Sequence, residues 1–305
     1  MRTKSFAMPG RIYLFIFIVL GCLWGCNQGG DDPILPTYLK LNKPTVIDPS
    51  GAQSTFAIKD FWVDQNGQSL GVQPLPTVIP ALIPSEGSVM TFAGGVFENG
   101  FSFFRTPYPF IRGVTQVIEP SPLDTIDIDL TLEYLSPDTV LQFALDEDFN
   151  SAISIFESNT QGSNFTSLFN STEAAFQGVA GGKVTFTSSR YEFAAKTKTR
   201  YALPQRGNND VWMEITYKGD VPFSVGLNYY FVLNPGVGQL DAGNFLPSPD
   251  EWNIVYIHIN DAIRSLPEAA VFEPFIQATA RDENGTPGRE GFIFFDNIRI
   301  VHFRP

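Results

Sequence analysis

Cysteine and histidine are almost missing from this 305-residue chain, which has two of each. Both cysteines, Cys22 and Cys26, lie near the start, so everything beyond them lacks a disulfide staple, a thiol nucleophile and a cysteine-bound zinc. The histidines, His258 and His302, fall in strand-like segments with no nucleophile elbow beside them, which argues against a Ser-His-Asp enzyme. Positive charge is also scarce. Twenty Lys and Arg face 32 Asp and Glu, a net charge of −12 that argues against nucleic acid or anionic lipid as partner. The phosphate-cradling loop is absent, because "GVAGGK" lacks the required Gly-Lys-Ser/Thr ending. Long apolar runs are limited to "IYLFIFIVLG", which is shorter than the span of about 20 residues that a membrane helix needs.

That run follows Arg2, Lys4 and Arg11, the charge-then-apolar order of a secretory signal. Two readings exist for the cysteines: a disulfide, or a processing site. The pair is closely spaced, and the segment holding Cys22 would be discarded after export, so a lasting disulfide is not expected. "LWGC" resembles the lipobox of bacterial lipoproteins, in which the cysteine is acylated and becomes the mature N-terminus. This implies lipidation at Cys26, with Cys22 in "VLGC" as the competitor, and a palmitate-bearing anchor. "NQGGDD" resembles the glycine and acidic export signal of Bacteroidota surface lipoproteins. The resemblance implies an outer-membrane, outward-facing location, with 1–25 as signal peptide and 26–33 as tether.

The rest of the chain repeats with period two. "IDIDLTLEY" sets Ile126, Ile128, Leu130 and Leu132 against Asp127, Asp129, Thr131 and Glu133. Similar alternation occurs in "TYLKLNK", "SVMTFAGG", "VWMEITYK", "WNIVYIHIN" and "GFIFFDNIRIVHF", separated by Gly, Pro and Asn clusters, with "ENG" at 98–100 placed as a hairpin turn. The best helical candidate, "NDAIRSLPEA", is limited to a turn or two by Pro267. The expected fold is therefore all-β: an immunoglobulin-like sandwich over 34–141, then a larger jelly roll over 142–305. In "PLPTVIPALIP", residues 74–84, four prolines exclude a helix or a central strand. This apolar edge or loop either covers its own sandwich or meets a protein partner.

The second half, through "LDEDFN", "AAFQGVAGGKVTF", "DEWNIVYIHI" and "GFIFFDNIRI", resembles the galactose-binding-like jelly rolls of carbohydrate-binding modules. The first half, through "IKDFWVDQNGQSLGVQPLPTVIP" and "FRTPYPF", is similar to modules of bacterial surface lipoproteins. Alternation places Asp296 on the side of Phe294, Ile298 and Ile300, where a carboxylate must be satisfied. In the resembling modules the matching aspartate often helps hold a structural calcium, here with Glu147 or Asp148. The alternatives are backbone N–H donors, or an arginine such as Arg299 or Arg190.

The same counting puts Trp212 beside Glu214, Thr216 and Lys218, Tyr230 beside Ser224 and Asn228, and Trp252 and Tyr256 beside His258. Together these rings would make an aromatic strip of the kind a sugar face stacks on. The other reading is structural aromatics half-covered by loops. Asp127, Asp129 and Glu133 alternate as any solvated strand face does, so glycoside hydrolysis is not expected of them. "DTI" and "DTV" match the Asp-Ser/Thr-aliphatic O-glycosylation pattern of Bacteroidota, at Thr125 and Thr139.

Two functions follow. The one favoured by the sequence is a non-catalytic subunit docking on an outer-membrane protein complex through residues 74–84. The alternative is a glycan-binding surface lipoprotein. For the anchor, replacement of Cys26 by serine is expected to abolish incorporation of labelled palmitate. Label that survives there and disappears in Cys22→Ser would move the lipid to Cys22.

Overall fold

The computed structural model describes residues 35–304 apart from 52, 56, 207–209, 232–236 and 267–269; the expected signal segment and its lipidation candidates Cys22 and Cys26 lie outside the described residues. The chain is nearly all β, in two sandwiches. The first contains β1 (Thr37–Leu41), β2 (Thr45–Ile47), β3 (Gln53–Ser54), β4 (Asp60–Gln65), β5 (Gln68–Pro74), β6 (Thr77–Ala81), β7 (Ser88–Phe97), β8 (Arg105–Pro107), β9 (Val114–Ile118), β10 (Thr125–Ile128) and β11 (Thr131–Glu133). Two three-stranded sheets, β10-β1-β6 and β11-β2-β3, share a core with a five-stranded sheet, β5-β4-β7-β8 with β9 beside β7. Leu39, Leu41, Ile79 and Ile128 from one side meet Phe61, Val63, Met90 and Phe92 from the other.

Local chemistry explains the turns. Asn66 and Gly67 join β4 to β5, both with positive φ (53° and 81°), the pair of left-handed residues that a tight hairpin demands. Asn99 and Gly100 repeat the device at 54° and 77°, but "ENG" opens a longer connection running to Phe104 rather than a two-residue hairpin. The expected continuous strand over 126–133 is interrupted after Ile128, and each half pairs in parallel, β10 with β1 and β11 with β2. The alternation itself holds: Ile128, Leu130 and Leu132 are buried while Asp127, Asp129, Thr131 and Glu133 are exposed.

The proline-rich run forms β6, an edge strand bonded to β1 alone. Ile79, Ala81 and Ile83 enter the core, and Val78 and Leu82 face solvent. Half of the segment thus covers its own sandwich.

The second sandwich comprises β12 (Leu141–Glu147), β13 (Phe156–Ser158), β14 (Phe165–Thr166), β15 (Phe169–Ser171), β16 (Gly181–Phe186), β17 (Glu192–Thr197), β18 (Val211–Gly219), β19 (Phe223–Phe231), β20 (Val237–Phe245), β21 (Ser248–His258), β22 (Ala270–Thr279) and β23 (Gly291–Phe303). A short α-helix, α1 (Asn260–Arg264), precedes β22, and a single 3-10 turn, Thr172–Ala174, precedes β16. A junction sheet, β15-β16-β23-β18-β21 with β12 on β23, packs on a far sheet, β13-β17-β22-β19-β20 with β14 on β17. Between them Val184, Met213, Ile215, Ile293 and Phe295 meet Phe193, Val225, Leu227, Phe272 and Ile276.

The other face of the junction sheet carries the first sandwich. Trp212 and Tyr256 are 2% and 1% exposed and belong to the first core, where Tyr108 packs edge-on to Trp212 at 5.4 Å. Each large ring removes about 150–250 Å² from water, worth roughly 4–6 kcal/mol at about 25 cal/mol per Å². Within this apolar seam lies Glu214, which accepts from the Tyr108 hydroxyl and, at 2.9 Å, from the Tyr134 hydroxyl. Burial pushes its pKa up, and the Arg299 charge and the two tyrosine donors work against that rise. Arg299 in turn binds Asp146 at 2.9 Å and, in the first sandwich, Asp48 at 3.2 Å. Replacing Arg299 by alanine leaves these carboxylates facing one another without a cation. It is expected to cost about 3–5 kcal/mol in urea unfolding; a loss below about 1 kcal/mol would show that the seam does not depend on this charge.

Candidate functional site

The outward face of the far sheet is formed by Glu192, Ala194 and Lys196 on β17, Glu273, Phe275 and Gln277 on β22, and Ser224, Gly226 and Asn228 on β19; Gln277 is exposed, the β17 residues, Ser224 and Asn228 are half-buried, and Glu273, Phe275 and Gly226 are buried among their neighbours. Two clefts of ≈ 550 and ≈ 610 Å³ share Asn159, Ala194 and Gln277 and so form one trough across the sheet. Phe275 makes part of its floor, in register with Gly226. A Cβ at Gly226 would meet the Phe275 ring at 2.3 Å, so glycine is what lets the ring lie over the neighbouring strand.

Glu273, 5% exposed, orders one end of this surface. It accepts from the Tyr230 hydroxyl at 2.7 Å, Asn228 Nδ2 at 3.1 Å and Lys196 Nζ at 3.2 Å. Burial opposes its ionisation, yet these donors prevail and keep its pKa below the usual glutamate value. The hydrogen bond to Glu273 raises Lys196 correspondingly. The trough therefore offers amides, a hydroxyl and a fixed ion pair above an aromatic floor. These groups bind hydroxyl-rich, partly apolar molecules well.

The four aromatic candidates do not form one strip. Tyr230 sits on the far sheet with the Arg200 guanidinium 3.5 Å from its ring centre, so one face is already covered. Trp212 and Tyr256 are buried under the first sandwich, correcting the expectation that they are exposed. Trp252 lies on the junction sheet, half-buried against Phe176 at 5.4 Å. Side-chain alternation was read correctly along the strands that carry these four rings. What it does not encode is which sheet a strand joins or what covers that sheet. Phe275, Gly226, Gln277 and Asn159 were not found from sequence, because amides and small residues on a strand carry no periodic signal.

Asp296 needs a similar correction. Asn297 adopts φ 45°, and the pairing of β18 with β23 shifts register at this point. The bulge switches phase: Ile298 and Ile300 face the inner core, while Asp296 lies on the opposite, outward face. There its carboxylate accepts from the backbone N–H of Phe176 (2.9 Å), Gln177 (3.0 Å) and Asn297 (2.8 Å).

Glu147 accepts from Phe149 N, Ser154 Oγ and Ile155 N, and the exposed Asp148 accepts from Asn150 N. Each of the three carboxylates proposed for calcium is thus engaged by N–H or O–H donors. Among the described residues no three His, Cys, Asp or Glu side chains gather to hold a metal. Thr125 and Thr139 are both exposed.

No protein-family model and no curated protein matches the chain. Solved structures that overlap it in part include carbohydrate-binding modules. The CBM22-1–GH10 modules of Clostridium thermocellum xylanase 10B with xylohexaose share 14% identity at a TM-score of 0.39, over 53% of this chain and 29% of that one. The CBM22-1 xylan-binding domain of Paenibacillus barcinonensis Xyn10C shares 10% at 0.39, over 55% and 98%. A carbohydrate-binding module of the β-sandwich superfamily shares 15% at 0.39, over 80% and 86%. Scores of this size leave the fold assignment to the strand pairing described above.

Asp296 generates a pH prediction. Burial raises its pKa to about 6, against the pull of its three N–H donors and with the Asp148 charge adding to the rise. The native state then keeps a proton that the unfolded chain has lost, so this group's contribution to stability falls as pH rises from about 4 to about 6 and is constant above. Asp296→Asn is expected to remove that part of the slope, on the order of 1–3 kcal/mol across the window. An unchanged slope in urea midpoints at pH 4, 5, 6 and 7 would refute it.

Proposed function

We propose that this chain is a non-catalytic glycan-binding protein, tethered at the cell surface by the lipobox-like segment, whose second sandwich holds an extended sugar chain along the far-sheet trough. The observation that carries this reading is the continuity of the two clefts through Asn159, Ala194 and Gln277. A polymer needs a groove open along its length, and a row of amides over an aromatic floor matches its alternation of hydroxyls and C–H faces. The layer order supports presentation outward: first sandwich, junction sheet, core, far sheet, trough.

Acid–base chemistry has little support in this groove. Glu157 and Glu273 both contact Lys196, and the donors around Glu273 favour its ionised form rather than the protonated acid that hydrolysis of a glycosidic bond requires. His258 is stacked on Trp212 at 4.4 Å, between Glu98 and Asp210, away from the trough.

The docking reading retains the solvent-facing Val78 and Leu82 within residues 74–84, and a larger apolar cluster lies outside that run. Phe101, Phe103 and Phe104 are exposed and mutually packed, with ring centres 4.5–6.2 Å apart. Phe101 and the exposed Leu246 flank one cleft at the sandwich junction.

The trough is tested by Ala194→Trp, which fills its middle and removes no hydrogen bond. Affinity electrophoresis in gels containing xylan or β-1,4-galactan is expected to show retardation of the wild-type chain that falls at least about tenfold in the variant. A variant that is retarded like the wild type, with an unchanged melting temperature, would rule the trough out as the binding surface.

A further inference from the structure

The junction sheet carries a second surface that the trough does not use. Its outward face is covered by the first sandwich around Trp212, Glu214, Tyr256, Ile254, Arg299 and Val301. Beyond that cover, the register of four adjacent strands sets Phe169 opposite Lys183, Lys183 opposite Phe294, and Phe294 opposite Lys218. Opposed residues in a ladder share a face, so these side chains make one row across β15, β16, β23 and β18 in the order aromatic, cation, aromatic, cation. At about 4.8 Å between strands the row is roughly 14 Å long.

Phe292 widens it, packing against Phe294 with ring centres 4.7 Å apart. Lys183 Nζ lies 5.9 Å from the Phe294 ring centre. A cleft of ≈ 540 Å³ stands over Phe292, Phe294, Lys183 and Lys218. Phe169 is 49% exposed at the end of the row.

Two lysines brought together by register stand out on a chain with net charge −12. Lys183 is paired with Glu173, whereas Lys218 has no ion-pair partner among the described residues. Glu173 and Glu290 also line the cleft, and Glu173 holds Lys183, so Lys218 is the one cation of the row without a carboxylate partner among the described residues and a ligand carboxylate must displace Glu173 to reach Lys183. Flat apolar rings with ammonium groups beside them complement a ligand that alternates an apolar ring face with a carboxylate.

We propose that this row is a second binding site, specific for anionic glycans built of uronate residues, whose pyranose faces stack on Phe294 and Phe169 while their carboxylates bind Lys218 and Lys183. The site is separate from the far-sheet trough and does not rest on it. The lysines supply charge-assisted hydrogen bonds, and the rings supply the selectivity for a sugar over a plain polyanion.

The test uses the full chain in mild detergent, with polygalacturonate as probe and polyglutamate as the charge-only control. At low salt the wild type is expected to bind polygalacturonate, with affinity falling as salt is raised. The double variant Lys183→Gln/Lys218→Gln and the single Phe294→Ala are each expected to weaken binding by about tenfold or more. Ala194→Trp is expected to leave it unchanged, which separates failure of this site from failure of the trough. Lys218→Glu, a half-exposed position without an ion pair, serves as the charge test if the double variant melts early.

The proposal is overturned if the wild type fails to bind polygalacturonate at low salt. It is equally overturned if the folded lysine variants bind as well as wild type, or if polyglutamate binds as tightly as polygalacturonate.

Discussion

The buried carboxylate of Glu214 constrains the whole arrangement. It sits at 1% exposure between the sandwiches, on the opposite side of its strand from the core residues Met213 and Ile215. Leaving water costs such a group several kcal/mol, so the seam must supply donors and a cation as well as apolar area. Tyr108 and Tyr134 come from the first sandwich, and Arg299 stands opposite Glu214 on β23 and reaches on to Asp48. Each partner is tied to a different strand or loop, which fixes the sandwiches in one relative placement. Asn99 adds to this by donating to the Tyr256 carbonyl and accepting from His258 N.

That placement decides which surfaces are free. Part of the junction sheet's outer face is taken by Trp212, Tyr256 and Val301 packing into the first core. The remainder, with Phe292, Phe294, Lys183 and Lys218, stays open, as does the outer face of the far sheet. The first sandwich thus defines the second sandwich's usable faces, and its own core is completed by Trp212, Tyr256 and Val301 of the second.

The strands of both sandwiches were legible because burial on one face imposes period two on the residues themselves. "IDIDLTLEY" and "VWMEITYK" show it without ambiguity: Glu214 and Lys218 do share a face, as their spacing requires. Three kinds of fact were not written in the pattern. A bulge at Asn297 inserts one residue and reverses the phase, which is why Asp296 is not beside Ile298. Sheet membership depends on long-range pairing, so Tyr230 and Trp252 read as neighbours yet lie on opposite sheets. Cover by another domain has no local signature at all, so Trp212 looked exposed and is buried. The trough was the least legible element, since its distinguishing features are a glycine beneath a ring and amides at open positions.

Charge ties the two surfaces together. A chain of net charge −12 repels polyanions at long range, which opposes a uronate site. At physiological ionic strength, however, fields from exposed charges fade over about 8 Å. A ligand lying along the aromatic–cation row therefore responds to the charges inside that range, which are Lys183, Lys218 and the Glu173 and Glu290 carboxylates of the same cleft, and to the rings beneath it. The surrounding acidity then penalises any polyanion that cannot make those close contacts. Global negative charge and a short local cationic row together select for ligands that can stack, and exclude those that carry charge alone.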